Sequence, residues 1–181
     1  EEELAQIRAA QEENKENFGY YGKWALCRDL SFEEIEAKIK NLTIKGMVKA
    51  KKYVSLMVAC NGGHSSDMLI DNCHSYGEVT AKSNYVGGIA GYGFANIQNC
   101  VNHATISGSE MVGGISGDSS MPKVNCINHG NISGSGYVGG ITGYQNSNII
   151  YNCQNNGAID AEAYVGGISG YSRQGSCIYN S

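Results

Sequence analysis

The sequence predicts an all-β repeat protein: a parallel β-solenoid of about five coils of 26–27 residues, the first coil longer, behind a short N-terminal helical cap. Three observations carry this expectation. One motif recurs at a fixed period. The repeating part is built from residues that disfavour helix. And each period sets two adjacent glycines into what otherwise reads as an apolar strand.

The period is measured in two independent phases. "YVGGIAGY", "MVGGISGD", "YVGGITGY" and "YVGGISGY" begin at Tyr85, Met111, Tyr137 and Tyr164, and their valines, Val86, Val112, Val138 and Val165, follow at intervals of 26, 26 and 27. The Asn-Cys pairs ending in Cys73, Cys100, Cys126 and Cys153 follow at 27, 26 and 27. Six residues past each of these cysteines stand Val79, Ile106, Ile132 and Ile159. Fixed-period self-similarity outranks local signals in assigning a fold. The pattern also reaches backward in degraded form, as "YVSLMVAC" from Tyr53 and "IKNLTIKG" from Ile39, and forward into "GSCIYNS" from Gly175, so the chain is expected to end within a repeat.

Gly, Asn, Ser and β-branched residues dominate these units and argue against helical repeats. Each unit reads as three short apolar strands separated by Gly/Asn/Ser turns. One unit cannot bury its apolar face alone. Stacking buries it, with each coil pairing in parallel to the next at about 4.8 Å, so that equivalent residues form ladders. The glycine pairs Gly87 and Gly88, Gly113 and Gly114, Gly139 and Gly140, and Gly166 and Gly167 then have a geometric reason. Val86 and Ile89 are three apart and would face opposite ways in a regular strand. Two glycines between them permit a bulge or tight corner that turns both inward. "GYGFAN" at Gly91 is not expected to cradle phosphate, since no helix follows it.

The expected domains are a helical or irregular cap over residues 1–38 and the solenoid over 39–181. "SFEEIEAKI" from Ser31 has a capping-box pattern in Ser31 and Glu34, with Phe32, Ile35 and Ile39 on one side. Solenoid ends carry unpaired strand edges, and a cap would cover one of them.

Net charge is -4, which gives no global attraction to nucleic acid. Ten of the 13 Lys and Arg precede Tyr53, among them the basic run Lys38, Lys40, Lys45, Lys49, Lys51 and Lys52, read as solvated surface with anionic glycan or wall polymer as its alternative use. No stretch has the roughly 18 apolar residues of a membrane span, and no signal peptide opens the chain.

Seven cysteines raise disulfides and metal, but no C-x-x-C spacing is present. Cys73, Cys100, Cys126 and Cys153 are expected to form a reduced internal ladder, with Cys177 as a possible extension. In-register stacking holds their Cβ atoms near 4.8 Å, beyond the roughly 3.8 Å of a disulfide. A reactive thiol is expected outside that row, at Cys27 or Cys60. Asn72, Asn99, Asn125 and Asn152 form one amide row and Asn102, Asn128 and Asn155 another, both read as stacked and hydrogen-bonded along the axis. The sequons at Asn41 and Asn131 are read as chance occurrences. His103 and His129 share a position with Tyr76 and Asn156; a mixed ladder at a turn is preferred there over a two-histidine metal site. No cofactor is expected. Enzymes built on such coils need clustered carboxylates. Here only Glu110 and Glu162 come close to sharing a phase, so a non-catalytic chain is expected, with a carbohydrate-active enzyme as the alternative.

The tyrosines form two rows. Tyr53, Tyr85, Tyr137 and Tyr164 are one, interrupted by Met111. Tyr92, Tyr144 and Tyr171 are the other, interrupted by Asp118. Stacked rings stabilise a sheet, and a row that faces water makes an aromatic strip for sugars or protein partners. Tyr92, Tyr144 and Tyr171 are therefore the candidate ligand-binding residues.

The "VGG" octets and the "NC" segments "NCHSYGEVTA", "NCVNHATISG", "NCINHGNISG" and "NCQNNGAIDA" resemble the GLUG motif, over Tyr53 to Ser181. That resemblance implies a bacterial secreted or cell-surface protein in which the repeats are accessory, as in immunoglobulin A peptidases and adhesin-like chains. It implies a structural or adhesive module that presents a ladder surface to a host or bacterial surface protein or glycan, with end-to-end self-association also open. It does not carry peptidase activity over, because that belongs to a separate zinc domain with two histidines one helical turn apart beside a glutamate. His64, His74, His103 and His129 lie in no such motif.

Overall fold

The computed structural model describes residues 38–61, 68–146 and 149–181. The helical cap expected over 1–38, including Ser31 and Glu34, lies outside them apart from Lys38, as does Cys27. The described residues belong to one compact unit.

Every strand pairing in the described residues is parallel, and no helix occurs among them. The described residues wind about five times around one axis and build four parallel sheets of six, eight, four and five strands. The third turn shows the pattern. Ala95–Gln98 lies on the first side, Val101–Asn102 and Thr105–Ser107 on the second, Glu110–Gly113 on the third and Ser116–Ser119 on the fourth. Each turn therefore has four sides, where three strands per unit were expected. The glycine pair is the reason: it separates two strands, with Val112 and Gly113 in the third sheet and Ser116 in the fourth.

Stacking is in register. Val86 pairs with Val112, Val112 with Val138 and Val138 with Val165, and Val54 bridges to Val86. Val79, Ile106, Ile132 and Ile159 form a second ladder. The first side runs Ile39, Ile70, Ile97, Lys123, Ile150 and Ile178.

The core divides into two apolar columns. One contains Ile70, Ile89, Ile97, Ile115, Ile141, Ile150 and the four ladder cysteines; the other contains Val79, Val86, Ile106, Val112, Ile132 and Val138. Val86 and Ile89 both point inward, into different columns, and the glycines lie where the chain crosses from one to the other. A Cβ on the first glycine, Gly87, would overlap the Ala90 carbonyl oxygen, and Gly113, Gly139 and Gly166 repeat the arrangement with Ser116, Thr142 and Ser169. A Cβ on the second, Gly88 or Gly114, would overlap the side chain of Asn102 or Asn128 in the following coil. The glycines serve close approach rather than a left-handed backbone.

The left-handed positions fall elsewhere. In each coil the Asn before Cys and the Tyr or Met before Val have positive φ, for example Asn99 at 53° and Tyr137 at 52°. Asn tolerates this region; a tyrosine there is uncommon and strained. It persists because neighbours on both sides of the rung impose the same backbone shape.

Candidate functional site

The buried amides organise the corner from inside. Asn102 donates from Nδ2 to Asn128 Oδ1 at 2.7 Å, and Asn128 donates to Asn155 Oδ1 at 2.7 Å. Each also clamps its own chain two residues on: Asn128 Nδ2 donates to the Gly130 carbonyl at 2.8 Å, and Gly130 N–H donates to Asn128 Oδ1 at 3.2 Å. The second row is exposed and runs the other way. Asn125 donates to Asn99 Oδ1 at 3.1 Å and Asn152 to Asn125 Oδ1 at 2.8 Å. Asp71 takes the amide's role for Asn99, at 2.9 Å.

Cys73, Cys100, Cys126 and Cys153 are buried and unbridged; Cys177, also unbridged, does not extend their ladder, because it pairs with Ile149 on the first side. Burial pushes the Cys73 thiol up and the Cys126 thiol well up. Cys60 is exposed. It sits outside the thiol ladder, at the register position of Tyr92.

On the second side, Lys45, Tyr76, His103, His129 and Asn156 stack as one mixed column. Lys45 Nζ lies 5.3 Å from the centre of the Tyr76 ring, the Tyr76 and His103 rings are 4.4 Å apart, and those of His103 and His129 are 5.0 Å apart. Burial, then the His129 and His74 charges, lower the His103 pKa. With ring faces turned to each other, the two imidazoles serve stacking. Among the described residues no group of three or more His, Cys, Asp or Glu is arranged to hold a metal.

The tyrosine rows lie on the third and fourth sides. Tyr92, Asp118, Tyr144 and Tyr171 occupy one register position in successive coils. Tyr144 and Tyr171 stack at 4.9 Å and Tyr137 and Tyr164 at 4.7 Å, and Tyr137 meets Tyr144 edge-on at 6.1 Å. In the first coils Tyr53 stacks on Tyr85 at 5.0 Å, and Tyr85 meets Tyr92 edge-on at 5.1 Å. Lys52 Nζ caps this group, 4.7 Å from the Tyr53 ring centre and 5.2 Å from that of Tyr85. The third coil, with Met111 and Asp118, divides the tyrosines into two clusters. Tyr92 and Tyr144 are half-buried and Tyr171 is exposed.

One group near that break escapes pattern reading. Lys123 replaces isoleucine in the first-side ladder and is fully buried, its Nζ donating to the Ser119 carbonyl at 3.4 Å. Burial lowers its pKa to about 7, while burial raises that of Asp118 to about 6. Lys123 shows in the sequence only as "KVNC" where the other coils have "IDNC", "IQNC" and "IYNC".

No family model matches the chain. A curated relative, glutamate–tRNA ligase from Acetivibrio thermocellus, is 49% identical over 41 residues, which is 23% of this chain and 8% of the ligase. A solved structure described as a "putative immunoglobulin A1 protease" from Bacteroides ovatus superposes with a TM-score of 0.59 at 22% identity, over 80% of this chain and 57% of that one. At that identity the likeness concerns the fold: a parallel solenoid of this kind also occurs in the Bacteroides protein. The chain spans little more than half the length of that structure and a small fraction of the ligase.

Proposed function

We propose that this chain is a non-catalytic, structural and adhesive repeat module of a bacterial secreted or cell-surface protein, with GLUG-type repeats. Its ladder surface, above all the strip of Tyr92, Tyr144 and Tyr171, would present a binding face to a surface protein or glycan. The observation that carries this reading is the alignment of tyrosine rings along one side at coil spacing, with Tyr171 exposed. Rows of rigid aromatic rings give large contact area at low entropic cost. End-to-end self-association belongs to the same proposal.

A second reading, an accessory module of a larger surface peptidase, draws on the fold likeness to the Bacteroides protein. Both readings predict binding without turnover. The test is a glycan and surface-protein array probed with the chain and with a Tyr144→Ala/Tyr171→Ala double variant, alongside reducing-end assays on a polysaccharide panel. Saturable binding lost in the double variant, with no reducing ends released, supports the proposal. Release of reducing ends that grows with protein concentration overturns it in favour of a carbohydrate-active enzyme.

A further inference from the structure

We propose that the third coil is a recognition slot for an organic ammonium group, with the rings of Tyr92 and Tyr144 as walls and the Asp118 carboxylate as its anionic anchor. The inference rests on the binding role given to the tyrosine strip and names its ligand chemistry.

The argument begins with register. Asp118 stands directly between Tyr92 and Tyr144 in the fourth sheet. Adjacent rungs of a parallel sheet are about 4.8 Å apart, so the two tyrosines are separated by roughly twice that distance. Tyr144 stacks on Tyr171 and meets Tyr137 edge-on, and Tyr92 packs with Tyr53 and Tyr85, but no ring lies between Tyr92 and Tyr144. A carboxylate fills far less of that rung than a phenol would. In the neighbouring row the same coil carries Met111, a flexible thioether, between Tyr85 and Tyr137. The stack is therefore interrupted in both rows at one level.

Charge supplies the second observation. Asp118 is half-buried and makes no hydrogen bond or ion pair among the described residues. Lys123, which feels its field, turns its Nζ to the Ser119 carbonyl instead. Asp118 keeps an exposed side, and the one cation acting on it, Lys123, lies beyond salt-bridge distance with its Nζ on a carbonyl, so the carboxylate favours a second cation arriving from solvent. Its charge reaches the rings too, since Asp118 is, after burial, the largest cause raising the Tyr85 pKa.

The third observation is a precedent inside the molecule. Lys52 places its ammonium over the faces of Tyr53 and Tyr85, so the first tyrosine cluster already accommodates a cation on its rings. Aromatic faces with an anion behind them are the general means of holding primary and methylated ammonium groups. At Asp118 both elements are present, and the cation that acts on it, Lys123, is buried with its Nζ on the Ser119 carbonyl.

The test uses NMR titration of the whole chain, following tyrosine ring resonances, with choline and glucosamine as probes. Their neutral counterparts, 3,3-dimethylbutanol and N-acetylglucosamine, are controls. Choline and glucosamine separate a preference for methylated over primary ammonium. The expected result is saturable shifts at Tyr92 and Tyr144 with at least one ammonium, at least tenfold weaker with its neutral counterpart and at least tenfold weaker in Asp118→Asn. Asp118→Tyr, which completes the row, should abolish the response while the far-ultraviolet dichroism stays that of the parent. No response to either ammonium, equal response to the neutral counterparts, or unchanged affinity in Asp118→Asn overturns the slot. A chain that binds an array ligand through Tyr144 and Tyr171 yet ignores both ammoniums refutes the slot alone. One that binds ammonium but nothing on the arrays refutes the adhesive reading alone.

Discussion

Asn128→Ala probes the interior of the stack. Asn128 is fully buried in the fourth coil and takes part in four hydrogen bonds: one accepted from Asn102, one donated to Asn155, one donated to the Gly130 carbonyl and one accepted from the Gly130 N–H. Alanine removes all four. Asn102 Nδ2 keeps the Ala104 carbonyl and Asn155 Oδ1 keeps the Gly157 N–H, so those two side chains are only partly deprived. The Gly130 N–H and carbonyl lose the partner that clamps them, in a residue that is itself buried. A buried polar group left unpaired costs about 1–3 kcal/mol, so two of them give a loss of roughly 3–5 kcal/mol, a large part of the total stability of a domain. Asn125→Gly, on the exposed amide row, is the control. It gives up two hydrogen bonds that water replaces and keeps the positive φ of 53° that glycine accepts readily, so it should cost less than about 1 kcal/mol. Urea unfolding followed by far-ultraviolet dichroism measures both. A loss below about 1 kcal/mol for Asn128→Ala, or equal losses for the two variants, would refute the assignment of one amide row to the interior.

Three further outcomes follow from individual residues. Lys123→Ile continues the ladder of Ile70, Ile97 and Ile150 and should stabilise the fold by about 1–4 kcal/mol at neutral pH and below, read from the urea midpoint. The parent should show the matching pH dependence. The folded Lys123 pKa of about 7 lies below its ordinary 10.5, so the unfolded chain holds the extra proton between those values and parent stability climbs across that window. The isoleucine variant should lack that climb. For Asp118 the sign is opposite: its folded value of about 6 exceeds 3.8, so its contribution falls as pH rises between them, and Asp118→Asn should remove that fall in pH-dependent unfolding. Native labelling with a maleimide and peptide mapping should modify Cys60 at least tenfold faster than Cys73, Cys100, Cys126 or Cys153, given its exposure and their burial. Comparable rates would contradict the closed thiol ladder.

Much of the architecture was legible because a ladder demands that like stand on like. Val86, Val112 and Val138, and Cys73, Cys100, Cys126 and Cys153, announce their stacking through spacing alone, and spacing is independent of which side of the coil they occupy. The number of sides was not legible. Strands as short as Val86–Gly87 carry too few residues to show a period of two, and the Gly-Gly corner hides a change of sheet inside what reads as a single apolar run. Spacing also could not tell the buried amide row from the exposed one, since both repeat alike; the distinction arises from which row faces the second glycine. The left-handed tyrosines left no signal, because tyrosine has no preference for that region and is held there by its neighbours. At the proposed binding strip, the row of Tyr92, Tyr144 and Tyr171 and the interruption at Asp118 could be read directly. That a buried Lys123 five residues on lies within its electrostatic reach could not, because it depends on how the turn between them folds back.

The claim beneath all of this is that each coil lies directly on the next, and one comparison tests it most directly. Gly114 and Gly136 both lie inside the stack. A Cβ at Gly114 would overlap Asn128 and the Gly140 carbonyl of the following coil, whereas one at Gly136 meets only the Glu110 side chain, at 3.8 Å. Gly114→Ala should therefore lose roughly 2–4 kcal/mol in urea unfolding, and Gly136→Ala should stay within about 0.5 kcal/mol of the parent. Equal effects at the two glycines would contradict coil-on-coil stacking.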